Sequence, residues 1–495
     1  MIRLSGICGY AYYFDANSKD ALDKIAAFQF DKAREQIALA KKLNPTNNIP
    51  YWAENYIDFL ILLNGEEEPQ FKQFIQNRPA RLKRLGEGSD SSPYKRFCQA
   101  EVLIQWAFVR IKFKQYLTAF REIDKAYSLL EENNKLFPNF APNKAGMGVL
   151  HVLIGSVPES YSWITDIVGY EGSVEQGLAE LNEALRISQI HSDFKFLETE
   201  CTFFLAFLYL NLESARETAL SFRNNYLKDR ALTFRNLEPV QAYAVGKISL
   251  QLGLNDDALI ILGHRKSGDG RYDLNYLDYM HGQAYLNKLS DSSRIFFNHY
   301  ISYFKGRNFV KSAYQRIAWS YLIEGDTSRY RLYINSVKLH GNLDTDSDKQ
   351  AQREAGSGEI PNPFLLKARF LCDGGYYDKS MIVLDDIQEK HKLYNSRDVV
   401  EYSYRKARVY DESGNKKQAV LWYRKTMLQG DKLPYYFAAN AALKLGAIYE
   451  LAHEYDSAAA AYKACLKMDY DEYKNGISQK AEIALERVAK NKTRK

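Results

Sequence analysis

The chain is poor in cysteine, lacks any apolar run of membrane length, and has no dominant sign of charge. Each shortage excludes a class of protein. Its five cysteines, Cys8, Cys98, Cys201, Cys372 and Cys465, are odd in number and scattered through 495 residues. Without CxxC pairs or metal-ligand spacing they read as reduced, packed thiols, and neither a disulfide frame nor a zinc site is expected. The longest apolar stretches, around Val149 to Val157 and Phe203 to Leu212, are about half the length that crosses a bilayer. Lys and Arg number 67 against 61 Asp and Glu, so the net charge of +6 makes a weak field over this length. Such a field does not by itself call for nucleic acid or an anionic membrane.

Catalytic and cofactor patterns are missing too. There is no GxxxxGK[ST], HExxH or GxSxG. Gly146 and Gly148 begin a Gly-x-Gly, but the third glycine is absent and no strand precedes, so close helix packing replaces the dinucleotide reading. Asp344, Asp346 and Asp348 imitate the start of a calcium loop. Lys349 stands where the turn glycine belongs and Ala355 where the bidentate Glu belongs, which leaves a solvated acidic stretch. The eight histidines, His151, His281, His299 and His453 among them, are far apart and receive no role. No enzyme, cofactor or metal is expected.

What is present is a folded, helix-compatible mixture: 46% hydrophobic, 26% charged and 14% aromatic residues, with 37 Tyr and 26 Phe. Tyr in such numbers suits packed helix interfaces, because the ring fills volume while its hydroxyl stays wet. The N-terminus, Met1 to Ala16, is not a signal peptide as written, and the chain then reads as cytoplasmic. Leu4 to Ala11 also fits the tail of a signal sequence that begins upstream of Met1, with Ala11 near the cleavage point. An exported, periplasmic protein is the alternative.

Self-similarity carries the fold. Segments starting at Leu365, Tyr404 and Ala442 align on Ala368, Ala407 and Gly446, each 39 residues after the last. A large residue follows three positions on (Leu371, Tyr410, Tyr449), a second small one twelve on (Ser380, Ala419, Ala458), and a bulky one sixteen on (Leu384, Tyr423, Tyr462). Small residues let two helices approach and the bulky one fills the space beside them, so each unit describes a helical hairpin that packs on its neighbour. Here the sequence resembles the tetratricopeptide repeat. Gly246, Gly282 and Ala318 occupy the same place at intervals of 36, the Gly282 unit having one residue deleted in its turn. Ala33, Ile37, Ala40 and Pro45, and then Ala107, Ala119, Ile123 and Ala126, extend the array toward the N-terminus.

The resemblance implies an all-α fold, an α-solenoid whose tetratricopeptide-like hairpins wind into a right-handed superhelix. Residues 1–16 are read as a flexible or signal-derived start, and 17–338 as the N-terminal and middle array. A polar loop or hinge spans 339–363, a C-terminal triplet 364–475, and a capping helix with a basic tail 476–495. Residues 142–185 depart from the repeat. Gly146, Gly148, Ser156, Pro158, Gly169, Tyr170, Gly172, Gly177 and Leu178 resemble the signature of the inclusion-body clearance family of eukaryotic tetratricopeptide proteins. Some members of that family associate with mitochondrial outer membranes or lipid-related clearance. Bacterial tetratricopeptide proteins look similar as well.

First helices of such hairpins line a groove. Counting from each small residue places Tyr243, Lys247, Tyr276, Tyr279, Gln283, Gln315, Trp319, Arg369, Tyr404, Arg408 and Asn440 toward it. Tyr, Trp and Arg bury much area and keep a directional polar end, so the expected function is a noncatalytic scaffold or adaptor that holds a protein, an extended peptide or an acidic segment. Packing within a narrow array is the bland account of the same aromatics. A helical-repeat RNA binder is the competing function, disfavoured by the weak charge and the missing Lys/Arg ladder.

Overall fold

The computed structural model describes residues 11–155, 172–211, 216–229 and 233–493. Apart from one isolated bridge between Ala11 and Asn47, the regular structure among them is helical. The helices, in chain order, are α1 (Ala16–Ala26), α2 (Phe30–Leu43), α3 (Ile49–Gly65), α4 (Glu68–Phe74), α5 (Arg78–Gly86), α6 (Pro93–Lys112), α7 (Tyr116–Leu136) and α8 (Asn143–Gly155). There follow α9 (Val174–Ile190), α10 (Leu197–Asn211), α11 (Arg216–Asp229), α12 (Pro239–Gln251), α13 (Asn255–Gly263), α14 (Tyr276–Asn287) and α15 (Ser293–Tyr303). The remainder are α16 (Val310–Ile323), α17 (Thr327–Leu339), α18 (Asp346–Ser357), α19 (Pro363–Asp373), α20 (Tyr377–Glu389), α21 (Ser396–Glu412), α22 (Lys416–Gly430), α23 (Phe437–Leu451), α24 (Tyr455–Lys467) and α25 (Lys474–Thr493). Among the described residues, no helix is long and apolar enough to cross a membrane. The described residues form an all-α fold of helical hairpins, and the chain divides into two compact units. The first takes residues 1–248, 260–277 and 304–306; the second takes 249–259, 278–303 and 307–495.

The hairpins follow from two repeated devices. Seven residues after each aligned small residue the backbone turns left-handed: Gly253, Gly325, Gly375 and Gly414 have φ of 72°, 91°, 79° and 91°, and Leu289 and His453 have 59° and 60°. Lys114 and Phe28 do the same, seven after Ala107 and the fully buried Ala21. A left-handed residue ends the first helix and reverses the chain, which is why glycine recurs there. The second device is the small-to-large contact. A β-carbon placed on Gly446 would lie 2.6 Å from Tyr462 Cδ1, and one on Gly282 would lie 2.9 Å from Phe297 Cδ1. Ala407 with Tyr423, and Ala368 with Leu384, share one core cluster in each hairpin.

In the first unit α3 is buried on nearly every side, and Trp52 sits among Phe14, Tyr56, Phe97 and Phe196. An interior helix needs apolar residues all round, which the run IPYWAENYIDFLILLNG supplies. Its Asn55 is satisfied by the Trp106 indole at 2.9 Å and by donating to Gln105 at 2.8 Å. Gly148 on α8 meets Gly177 on α9 so closely that a β-carbon on Gly177 would lie 2.9 Å from the Val152 nitrogen. The Gly-x-Gly is therefore a helix crossing, as its spacing implied. Of the residues that carried the clearance-family resemblance, Ser156, Pro158, Gly169 and Tyr170 lie outside the described residues, as does Cys8.

The second unit holds a departure from the sequence reading. The polar stretch expected as loop or hinge contains α18, capped by Thr345, whose side chain accepts from the Asp348 amide. Only Asp348, Ala351 and Ala355 of this helix are buried, and so thin an apolar stripe is hard to separate from loop by composition. The three aspartates of the supposed calcium loop point to different partners. Asp344 pairs with Arg307 at 2.8 Å, Asp346 with Lys349 at 3.3 Å, and Asp348 accepts from the Ser312 and Phe309 amides. At the C-terminal end α25 buries Ile477, Ala481, Ala484 and Val488 against the hairpin of α23 and α24.

Candidate functional site

The eleven groove positions fall in both units. Tyr243, Lys247 and Tyr276 belong to the first. Tyr243 lies 5.5 Å from the Phe203 ring and 6.1 Å from the Tyr276 ring, and Lys247 donates to the Tyr276 hydroxyl at 3.0 Å. Burial pushes the Tyr243 phenol up to about 12, with the Lys247 charge acting the other way.

The other eight belong to the second unit, on the first helices α14, α16, α19, α21 and α23. Tyr279, Gln315, Trp319 and Tyr404 are buried, and Gln283, Arg369, Arg408 and Asn440 are half-buried. None of the eight stands free. Tyr279 shares a hydrogen bond with Ser312 at 2.9 Å, Gln283 donates to Asn287 at 2.7 Å, and Asn440 donates to the Tyr404 hydroxyl at 2.7 Å. The aromatics also pack on other rings: Tyr243, Tyr279 and Tyr404, each three residues before its small residue, lie against Phe203, Phe297 and Phe437, and Trp319, one residue after Ala318, lies against Phe370.

Two centres form on this row. At the first, the Glu354 carboxylate of α18 accepts from Gln315 Nε2 at 2.7 Å, from the Trp319 indole at 2.9 Å and from the Tyr330 hydroxyl at 3.0 Å. Burial pushes the Glu354 carboxyl up to about 7, while the bonds from Trp319, Gln315 and Tyr330 and the charge of Arg369 pull it down. The guanidinium of Arg369 lies 5.1 Å from the Trp319 ring and that of Arg316 5.9 Å from it. Arg316 donates to Gln283 Oε1 at 2.6 Å and also to Ser312, so its donors meet neutral acceptors.

At the second centre Arg408 donates to Asp373 at 2.7 Å, and Arg405 donates to Glu401 at 2.6 Å and, at 3.4 Å, to the Tyr436 hydroxyl. Burial opposes the charge of Asp373, but Arg408, Arg369 and Arg405 together hold its carboxyl below the usual carboxylate range. Burial also works against Arg408, and Asp373 reverses it, so this guanidinium stays charged. Asp471 and Glu472 follow α24 and are tied back to the same unit. Arg353 donates to the Asp471 carbonyl, and Arg397 pairs with Glu472 at 2.8 Å.

Counting one position past the small residue found Trp319, Arg369 and Arg408. It missed Arg316 and Arg405, each two positions before Ala318 and Ala407, and that shared register was the available signal. Glu354 was missed because its helix was read as loop. The arrangement holds the Glu354 carboxyl group through indole, amide and phenol donors, with the Arg369 charge offsetting part of the cost of its burial. It has no nucleophile paired with a base, and among the described residues no cluster of metal-binding side chains.

No family model and no curated protein matches the sequence. Among solved structures, the tetratricopeptide domain of P58(IPK) covers 86% of this chain and 97% of its own at 13% identity and a TM-score of 0.23. Yeast Tom70 covers 98% and 100% at 14% identity and a TM-score of 0.24. Similarity at that level adds nothing to the site, and the architecture stands on the packing already described.

Proposed function

We propose that the chain is a noncatalytic scaffold that holds a protein partner, and that the inner row of its second unit takes an acidic, extended segment of it. One observation carries the reading: this row already receives a carboxylate, Glu354, through Gln315 and Trp319, with Arg316 and Arg369 on the same indole. Carboxylates bound by several oriented donors next to guanidinium groups are held strongly and with geometric selectivity. A chain of carboxylates would extend along the row from Arg316 through Arg369 toward Arg405.

The test uses fluorescein-labelled oligoglutamate against the full chain, with labelled oligouridylate as a second arm. Oligoglutamate should bind, and Arg316→Ala with Arg369→Ala should weaken it by about tenfold or more, the loss of one or two charge-assisted contacts. Tighter binding of oligouridylate, with affinity falling steeply as salt rises, would replace the reading by an RNA-binding one. Oligoglutamate bound equally well by the arginine variant would rule out this row.

A further inference from the structure

The second helices of the hairpins in the second unit carry a pattern on the side turned away from the inner row. Fourteen residues after Ala318, Ala368 and Ala407 stand Leu332, Ile382 and Leu421. In the Gly282 hairpin, one residue shorter in its turn, Ile295 is the equivalent. These four aliphatic side chains are 66% (Ile295), 64% (Leu332), 68% (Ile382) and 58% (Leu421) exposed. An isolated exposed leucine needs no explanation, but the same register in four consecutive hairpins is a patterned surface. On α17 and α22 it continues seven residues on, at Leu339 and Leu428, 79% and 82% exposed. A spacing of seven keeps both leucines of each helix on one face.

Charge distinguishes this surface further. Helices α15, α17, α20 and α22 carry nine Lys or Arg against four Asp or Glu, a surplus of five where the whole chain has +6. Two of the four acids are occupied from outside these helices, Asp385 by Lys406 at 3.0 Å and Asp386 by Lys392 at 2.7 Å. Arg331, Lys338 and Lys417 have no ion-pairing carboxylate among the described residues. Aliphatic rungs between basic flanks complement a helix with apolar residues on one side and carboxylates beside them.

We propose that the outer face of α15, α17, α20 and α22 is a docking surface for an acidic amphipathic helix of a partner protein, with Leu332, Ile382 and Leu421 as anchors and Arg331 and Lys417 as charge contacts. The surface is separate from the inner row and does not depend on it. An apolar stripe recurring every seven residues along the partner follows one side of a helix, and its carboxylates lie where the basic side chains reach.

The probe is a labelled helical peptide with leucine every seventh residue and glutamate on both flanks, titrated into the full chain and read by fluorescence anisotropy. Wild type should bind, and Leu332→Ser with Leu421→Ser should weaken binding by about tenfold or more. Both leucines are exposed, so the circular dichroism of the variant should match wild type. Arg331→Glu with Lys417→Glu should weaken binding and flatten its salt dependence. No binding at millimolar peptide would overturn the proposal, as would equal binding by the serine variant or by a peptide with lysine in place of glutamate. So would two other outcomes of the serine substitutions. One is loss of attachment to anionic phosphatidylglycerol vesicles, which would make the surface a membrane contact. The other is loss of self-association in sedimentation, which would make it a contact between copies.

Discussion

Replacing Gly446 by alanine isolates the contact on which the hairpin depends. Gly446 lies inside α23, where alanine is preferred over glycine by about 0.8–1 kcal/mol from helix propensity alone. Against that gain stands Tyr462, whose ring carbons Cδ1 and Cζ would lie 2.6 Å and 2.9 Å from the new methyl group. The ring cannot easily swing aside. Its hydroxyl donates to Glu450 at 2.8 Å, and Glu450 is itself held by Arg487 at 2.6 Å and 2.9 Å. Overpacking of this kind costs about 1–3 kcal/mol, so the net expectation is a loss of about 1 kcal/mol or somewhat more. Gly356, in α18, is the control, because a β-carbon there meets nothing within 4 Å. Gly356→Ala should therefore stabilise its helix by up to about 0.5–1 kcal/mol, less near the helix end. Amide hydrogen exchange read by mass spectrometry over 437–467 and 346–357 reports the two sites separately. Slower exchange in both variants would refute the claim that small residues permit the helices to nest. A smaller Tyr462→Leu partner should return most of what Gly446→Ala loses, giving a coupling of about 1 kcal/mol in the double-mutant cycle.

Two further outcomes follow from the turns and from Glu354. Gly414, at φ 91° with open space around it, should lose about 1 kcal/mol on replacement by alanine. With both variants read by urea titration, His453→Gly, at the equivalent turn with φ 60°, should come out neutral to slightly stabilising, and a clear loss there would contradict a purely steric account. Glu354 holds its proton more tightly in the folded chain than in the unfolded one, at about 7 against 4.5. Its contribution is then fully present below about 4.5 and is lost as pH rises through about 7, with an upper bound of about 3 kcal/mol. The stability of Glu354→Gln relative to wild type should rise across that window, and parallel pH profiles would refute the assignment.

The sequence made the hairpins legible because their determinants are local. A small residue, a turn seven positions on and a bulky residue at sixteen recur in fixed register, and each acts within one unit of about forty residues. The groove was only partly legible. The count singled out Trp319 and Arg369 as lining the proposed row, but their surroundings depend on Glu354, which arrives on a helix from outside the repeat period. Most residues of α18 are polar, and it is held by Asp348, which caps the start of α16 by accepting from the Ser312 and Phe309 amides. Contacts of that kind have no periodicity to detect, so an insertion between repeats looks like a linker until its partners are known.

Where a polar contact does follow the repeat, its sequence trace is a matched pair. Tyr423 and Tyr462 stand sixteen residues after their small residue, and their hydroxyls reach Asp411 at 3.0 Å and Glu450 at 2.8 Å, each four residues after it. In the Ala368 hairpin those places hold Leu384 and Cys372, and in the Ala318 hairpin Ile334 and Leu322, apolar at both. The exchange is concerted for a physical reason. A buried phenol without an acceptor and a buried carboxylate without a donor each cost far more than the bond between them contributes. Removing only one member, as in Asp411→Leu, should therefore destabilise more than the double change Asp411→Leu with Tyr423→Leu relative to what that change loses in ring packing. The order of the two in hydrogen-exchange protection over 396–430 decides whether the pair is selected as a unit.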